Sequence, residues 1–164
     1  MKIDEMRDEL AQLGNGAHAL AFQILDNVDD AADAVQDALT QALSRPNAFD
    51  ARKGALKPWF LRIVRNRCID MLRRKRPTEE TVAELIHTGA GPQETLENRQ
   101  RVRALNRALA SLPLEQRQII VLRDYLDLSY AEIADILDIA KGTVMSRLHR
   151  ARLALGEALK NYED

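Results

Sequence analysis

Residues 129–155, "SYAEIADILDIAKGTVMSRLHRARLAL", restrict the fold more than any other stretch of the chain. Ser129 and Glu132 have the spacing of a capping box, in which each side chain accepts a hydrogen bond from the other residue's amide. A short helix is therefore predicted to follow, with its apolar face formed by Ile133, Ala134 and Leu137. The second helix is predicted to begin near Lys141 and to bury Val144, Leu148, and Ala151 or Leu155.

The tripeptide "DIA" between these helices is predicted to form a tight turn. Ile139 must point inward if it is to hold the two helices together. Asp138 lies where such a turn most easily accepts Gly, so we expect either backbone strain or an Asx hydrogen bond there.

Two short helices joined in this way form a helix-turn-helix, which delivers its second helix to the major groove of DNA. Hydrogen-bond donors on that helix can reach phosphates, and Arg can also read guanine edges. The alternative is a helical hairpin with a solvated basic face. The residues predicted to contact DNA are Lys141, Thr143, Ser146, Arg147, His149 and Arg150, with Arg152 flanking them.

Charge is distributed unevenly along the 164 residues, although the formal net charge is only −1. Residues 1–50 hold ten acidic residues against three basic ones, whereas residues 51–76 hold ten basic residues against one acidic residue. Residues 77–100 are acidic again. Such asymmetry suggests separate partners for separate faces, with a polyanion as one candidate.

The composition favours helices, because Ala and Leu are abundant and aromatic residues make up only 4% of the chain. Cys68 is the only cysteine, so an intramolecular disulfide is excluded and a reducing cytoplasm is expected. The sequence contains no run of about 18 apolar residues and no signal-peptide core at the N-terminus. We therefore expect a soluble cytoplasmic protein.

Helical periodicity extends over the first half of the chain. Helices are predicted over residues 18–25 and 31–43, followed by a loop over residues 44–57. Pro58 suits the first turn of the next helix, for which a bend or break is expected near Asn66. That helix should bury Leu61, Val64, Cys68, and Met71 or Leu72, and direct Arg62, Arg65, Arg73 and Arg76 toward water.

These patterns predict an all-α protein with two small helical domains. The first covers residues 1–76, a flexible acidic linker covers residues 77–97, and the helix-turn-helix domain covers residues 98–164.

Both halves resemble one known family, the extracytoplasmic-function (ECF) sigma factors of the sigma-70 family. "VDDAADAVQDALTQAL" and "KPWFLRIVRNRCIDMLRRKR" look like sigma region 2, and "LNRALASLPLEQRQIIVLRDYLDLSYAEIADILDIAKGTVMSRLHRARLAL" resembles sigma region 4. The resemblance implies a bacterial promoter-specificity subunit that binds core RNA polymerase and promoter DNA, has no catalytic activity, and is inhibited by an anti-sigma factor.

The resemblance also implies roles for particular residues. It assigns the helix-turn-helix to the minus-thirty-five promoter element. It assigns docking on the polymerase clamp to Asp33, Gln36, Asp37 and Thr40. It assigns the minus-ten element, where strand opening needs a basic groove and a pocket for an unstacked base, to Arg62, Arg65, Asn66, Arg67, Arg73, Arg74, Lys75 and Arg76.

Two other classes of protein are the alternatives. A helix-turn-helix regulator would bind duplex DNA without polymerase. An enzyme would need an oriented nucleophile or a metal cluster, whereas His18, His87 and His149 are far apart in sequence and no His/Cys spacing resembles a metal site. No metal and no cofactor are therefore expected.

Overall fold

The computed structural model describes residues 1–74 and 95–162, and within these ranges it contains helices and no strand. The predicted all-α class is confirmed. The predicted linker lies outside the described residues, except for its last three. The helices are α1 (Ile3–Gln12), α2 (Gly14–Leu25), α3 (Val28–Ser44), α4 (Leu56–Arg74), α5 (Leu96–Ala110), α6 (Leu114–Ile120), α7 (Tyr130–Leu137) and α8 (Lys141–Lys160).

Helices α1 to α4 form the first bundle, and α2 lies at its centre with almost all of its second half buried. Small residues let the long helix α3 pack closely, since its buried residues are Ala31, Ala34, Val35, Ala38 and Ala42. Helix α1 was not predicted. It contributes Met6 and Leu10, both fully buried, and their four-residue spacing is the sequence signal for it.

Helix α4 is a single unbroken helix, so the bend or break expected near Asn66 is wrong. The Asn66 side chain is exposed, and the buried residues Val64 and Cys68 on either side hold the helix against the core. Pro58 lies in the first turn, as predicted. There its missing N–H removes no intrahelical hydrogen bond.

The second bundle contains the predicted helix-turn-helix. Ser129 N donates to Glu132 Oε1 at 2.9 Å and Glu132 N donates to Ser129 Oγ at 3.1 Å, which confirms the capping box. Helix α7 ends at Asp138, whose φ of 55° and ψ of 50° are left-handed, so the turn is strained as expected. Ile139 packs against the core. Ala134, predicted on the apolar face, is only half-buried, and the buried residues of α7 are Ile133, Ile136 and Leu137.

Helix α6 continues into a π-helical segment, Val121–Tyr125, that the sequence did not predict. Leu126 N donates to Val121 O at 2.8 Å, a five-residue spacing that widens the last turn. The widened turn brings Leu126 and Leu128 into the core, where both are buried.

The two bundles pack against each other through one continuous core. Helix α2 contacts α6 and the π-helical segment, and α4 contacts α7. Arg117 Nε donates to Gln23 O at 3.0 Å, and Lys57 Nζ donates to Leu126 O. A Cβ added at Gly16 would lie 2.7 Å from Leu126 Cδ2, so a larger residue there would force the two bundles apart or displace that side chain.

Candidate nucleic-acid and protein interfaces

The outward face of α8 carries the residues predicted to contact duplex DNA. Lys141, Ser146, His149 and Arg150 are exposed, whereas Thr143 and Arg147 are half-buried. The Ser146 hydroxyl donates to Thr143 O at 3.2 Å. The face is held in place from behind by the buried residues Val144, Leu148 and Ala151, which are those that helical spacing predicted.

Arg152, predicted to flank this face, is engaged within the fold instead. Its guanidinium donates to both carboxylate oxygens of Asp124, with Nε–Oδ2 at 3.1 Å and Nη2–Oδ1 at 2.5 Å. The hydrogen bond to Asp124 raises the pKa of Arg152. This bidentate pair fastens α8 to the π-helical segment.

The predicted polymerase-docking residues form one polar face of α3. Asp33, Gln36, Asp37 and Thr40 are all exposed, and the Thr40 hydroxyl donates to Gln36 O at 3.0 Å. The opposite side of the same helix is the buried alanine stripe. Periodicity in the sequence therefore placed this face correctly.

Two of the predicted sites meet at Arg67. Its Nε donates to Asp37 Oδ2 at 2.9 Å, and its Nη1 donates to Asp70 Oδ2 at 2.9 Å. Asp70 Oδ1 lies 3.6 Å from Arg74 Nη2. One residue of the predicted docking face is thus ion-paired with one residue of the predicted minus-ten surface.

The remaining basic residues of α4 differ in exposure. Arg62 and Arg73 are exposed, but Arg65, predicted to point toward water, is half-buried. Its buried Nε has no hydrogen-bond partner among the described residues. Burial, followed by repulsion from Arg73 and Arg62, lowers the pKa of Arg65. Arg76 and Lys75 lie outside the described residues.

Asn66 is exposed in the middle of α4 and is not among the residues that line the cavity beside Phe49 and Trp59. This cavity has a volume of about 240 Å³ and lies between the loop after α3, the first turns of α4 and helix α7. Phe49 and Trp59 form part of its wall, with ring centroids 5.2 Å apart. Sequence reasoning missed this cavity, for which the only signal is an aromatic residue, Phe49, in the loop. Its other lining residues include Asp50, Lys53, Arg62, Glu132 and Asp135.

Cys68 is fully buried on the core side of α4, as its position in the apolar stripe predicted. Burial raises the pKa of the Cys68 thiol to about 12. The side chain therefore acts as a small apolar group rather than as a reactive thiolate.

The part of the chain that the structure describes, residues 1–74 and 95–162, shows neither a metal-binding cluster nor a membrane-spanning helix. Over those ranges, three or more His, Cys, Asp or Glu side chains nowhere come together in a way that could hold a metal ion. In the same ranges, each helix is too short or too polar to cross a membrane.

Comparison with known proteins gives matches to both halves of the chain. The sigma-70 region 2 family model matches residues 10–78, and the sigma-70 region 4 model matches residues 102–155. The ECF RNA polymerase sigma factor SigW of Bacillus subtilis is 30% identical over 171 residues, covering 97% of this chain and 87% of SigW. SigM of Mycobacterium tuberculosis is 37% identical over 142 residues, covering 87% of this chain and 70% of SigM.

Solved structures match over both bundles. The sigma factor RpoE of Bartonella quintana, in complex with the anti-sigma factor NepR, is 30% identical with a TM-score of 0.77, covering 95% of this chain and 97% of RpoE. CnrH, in complex with the cytosolic domain of CnrY, is 22% identical with a TM-score of 0.71, covering 98% of this chain and 90% of CnrH. At that identity the match shows similarity of fold alone.

The two matched regions and the helical fold define a protein of the sigma-70 class. Within that class, the chain belongs to the family of ECF RNA polymerase sigma factors.

Proposed function

We propose that the chain directs core RNA polymerase to promoters by using three of its surfaces at once. Helix α8 reads the minus-thirty-five element, the basic face of α4 with its adjoining loop holds the minus-ten element, and the polar face of α3 docks on the polymerase. The chain contributes no catalysis of its own and works in the cytoplasm. The observation that carries this proposal is the basic outward face of α8 on an intact helix-turn-helix.

The minus-ten role draws on charge and shape together. Arg62, Arg73 and the partly desolvated Arg65 repel one another, and a nucleic-acid phosphate beside them would relieve that repulsion. Phe49 and Trp59, on one wall of the cavity, both belong to the first bundle, so they would still offer an aromatic surface to one unstacked base after the bundles separate. Stacking on aromatic side chains is how proteins commonly hold such bases.

Promoter binding requires the two bundles to separate, because the packed chain is smaller than the distance between the two promoter elements. A compact chain of this length has a radius of gyration of about 15 Å and is about 40 Å across. Elements centred about 25 base pairs apart lie about 85 Å apart on B-form DNA, at about 3.4 Å per base pair. The packed arrangement is therefore too small to reach both elements, and we assign it to the chain that is not bound to a promoter.

The interface between the bundles suits reversible separation. Two polar residues, Gln23 and Gln118, are buried on α2 and α6, the helices that meet there, and Arg117 donates to Gln23 O across the interface. Interfaces that can separate are more polar than permanent ones. The packed arrangement also places the carboxylates of Glu132 and Asp135 on the wall of the cavity that Lys53 and Arg62 line. Those carboxylates would repel an incoming phosphate.

An anti-sigma factor is the proposed regulator, because RpoE was solved with the anti-sigma factor NepR and its fold matches both bundles of this chain. A partner that binds across both bundles would hold them together. It would thereby keep α8 and the minus-ten surface from reaching their elements simultaneously.

Locking the interface tests the proposed separation. The double variant G16C/L126C places two thiols where a Cβ at position 16 approaches the Leu126 side chain. We expect oxidation to abolish transcription from a promoter and reductant to restore it, while each single variant stays active in both conditions. Full activity of the cross-linked protein would contradict separation.

DNA binding with and without core enzyme distinguishes the proposed function from an independent helix-turn-helix regulator. We expect promoter fragments to be protected from nuclease only when the chain and purified bacterial core RNA polymerase are both present. Specific protection by the chain alone, unchanged when core is added, would favour the regulator.

A further inference from the structure

The first two turns of α8 project an unusual combination of side chains outward. Lys141, Gly142, Met145 and Ser146 are exposed there, while Val144 between them is buried. The Met145 side chain is 55% exposed, although it is large and apolar. It therefore takes no part in the core of the chain.

Gly142, the second residue of α8, leaves the backbone of the first turn without a side chain over it. A Cβ added there would meet nothing within 4 Å, so no packing within the chain requires glycine. The absence of a side chain is useful where a ligand must come close to the backbone.

Met145 is the longest apolar group that this surface offers. Its neighbours one turn away are Lys141 and His149, and the adjacent Ser146 is short and directs its hydroxyl to Thr143 O. A thioether has no donor and is a weak acceptor, so Met145 cannot make the strong hydrogen bonds that read a guanine or adenine edge. The apolar group in the major groove is the C5-methyl of thymine.

We infer that Met145 is a specificity-determining residue that contacts the C5-methyl group of one thymine in the minus-thirty-five element. This inference rests on the proposed function, because it requires α8 to enter the major groove there. Gly142 lets the first turn of α8 approach the groove closely enough for that contact.

Deoxyuridine tests the contact because it differs from thymidine only by the missing methyl group. A promoter is first identified by transcription with core enzyme and the full chain, and each thymine of its protected upstream element is then replaced in turn on either strand. We expect holoenzyme affinity to fall about fourfold at one thymine, the effect of burying one methyl group, and to change little at the others.

Variants then assign the effect to Met145. Met145→Ala should weaken binding to the thymine promoter and remove its sensitivity to deoxyuridine at that position, and Met145→Gln should remove that sensitivity as well. Leu153→Ala is the matched control, since Leu153 is an apolar residue of α8 that is 60% exposed two turns further on. It should leave the thymidine-to-deoxyuridine ratio unchanged.

Two results would overturn the inference: a wild-type holoenzyme insensitive to deoxyuridine at every thymine, or a Met145→Ala variant with the wild-type ratio. Both leave promoter-directed transcription intact. Failure of the proposed function would be recognised earlier, because no promoter would be found in the first step.

Discussion

The Arg67 guanidinium and the Asp37 carboxylate are joined across 2.9 Å, which links α4 to the exposed face of α3. Arg67 also pairs with Asp70, so it bridges two acids rather than projecting freely toward solvent. An exposed ion pair of this kind contributes less than about 1 kcal/mol to stability and can be exchanged for another partner. Docking on Asp37 would therefore remove one of the two acidic partners of Arg67 and leave its pair with Asp70.

Reversing the charge at Asp37 should impair association with core RNA polymerase. Asp37→Arg removes an acid from the docking face and adds repulsion against a basic partner. We expect at least a tenfold weaker association, measured by co-purification with core. Asp8→Arg, an equally exposed change on α1, is the control and should co-purify normally. Equal losses for both variants would contradict the docking role of α3.

Removing Arg147 or Arg150 should weaken recognition of the minus-thirty-five element while core binding is kept. Each Ala variant loses a donor that can reach a phosphate or a guanine edge. We expect a loss of about 1–3 kcal/mol if a base is read, or a salt dependence reduced by about one charge if a phosphate is bound.

Arg152→Ala is the internal comparison for those two variants. Arg152 pairs with Asp124, so its removal should lower the free energy of unfolding by up to about 1 kcal/mol and affect DNA binding less. If the Arg147 or Arg150 variants lost core binding as much as they lose DNA binding, α8 would have a role other than reading the minus-thirty-five element.

Asn66→Ala should reduce strand opening or relax the preference at one minus-ten base. The Asn66 amide is exposed and can both donate to and accept from a base edge. Permanganate footprinting of unpaired thymines measures the opening directly. Because the side chain is exposed and Ala favours a helix more than Asn does, thermal stability should not fall. Wild-type opening and base preference in this variant would remove Asn66 from the site.

Asp138→Gly should stabilise the chain by about 1 kcal/mol. Asp138 has a φ of 55°, a left-handed conformation that glycine adopts without the strain of a Cβ. Denaturant unfolding measures the change. Asp135→Gly is the matched control, since the same substitution inside α7 should destabilise by about 0.3 kcal/mol. A destabilised Asp138→Gly variant would show that the Asp138 side chain supports the turn.

Sequence reasoning succeeded where local signals act alone. The Ser129–Glu132 capping box and the periodic apolar residues of α8 fixed the helix-turn-helix almost to the residue. It failed at Asn66, because an exposed polar residue inside a long apolar stripe does not interrupt helical hydrogen bonding. Helix α1 was missed because only two residues, Met6 and Leu10, define its buried face.

The remaining features depend on contacts between distant parts of the chain. The Asp37–Arg67 pair requires the placement of α3 against α4, which periodicity within one helix does not specify. The Arg117–Gln23 hydrogen bond and the cavity beside α7 depend on how the two bundles meet. The half-burial of Arg65 has the same origin. Its position in the sequence predicts on which face of α4 it lies, but not which residues of other helices pack beside it.

Run-off transcription with purified bacterial core RNA polymerase on genomic fragments tests the central claim most directly. With the purified chain free of any inhibitor, we expect transcripts that start at defined positions and that are absent with core alone. The absence of promoter-directed transcripts under these conditions would contradict the account, whatever affinity for DNA the chain shows by itself.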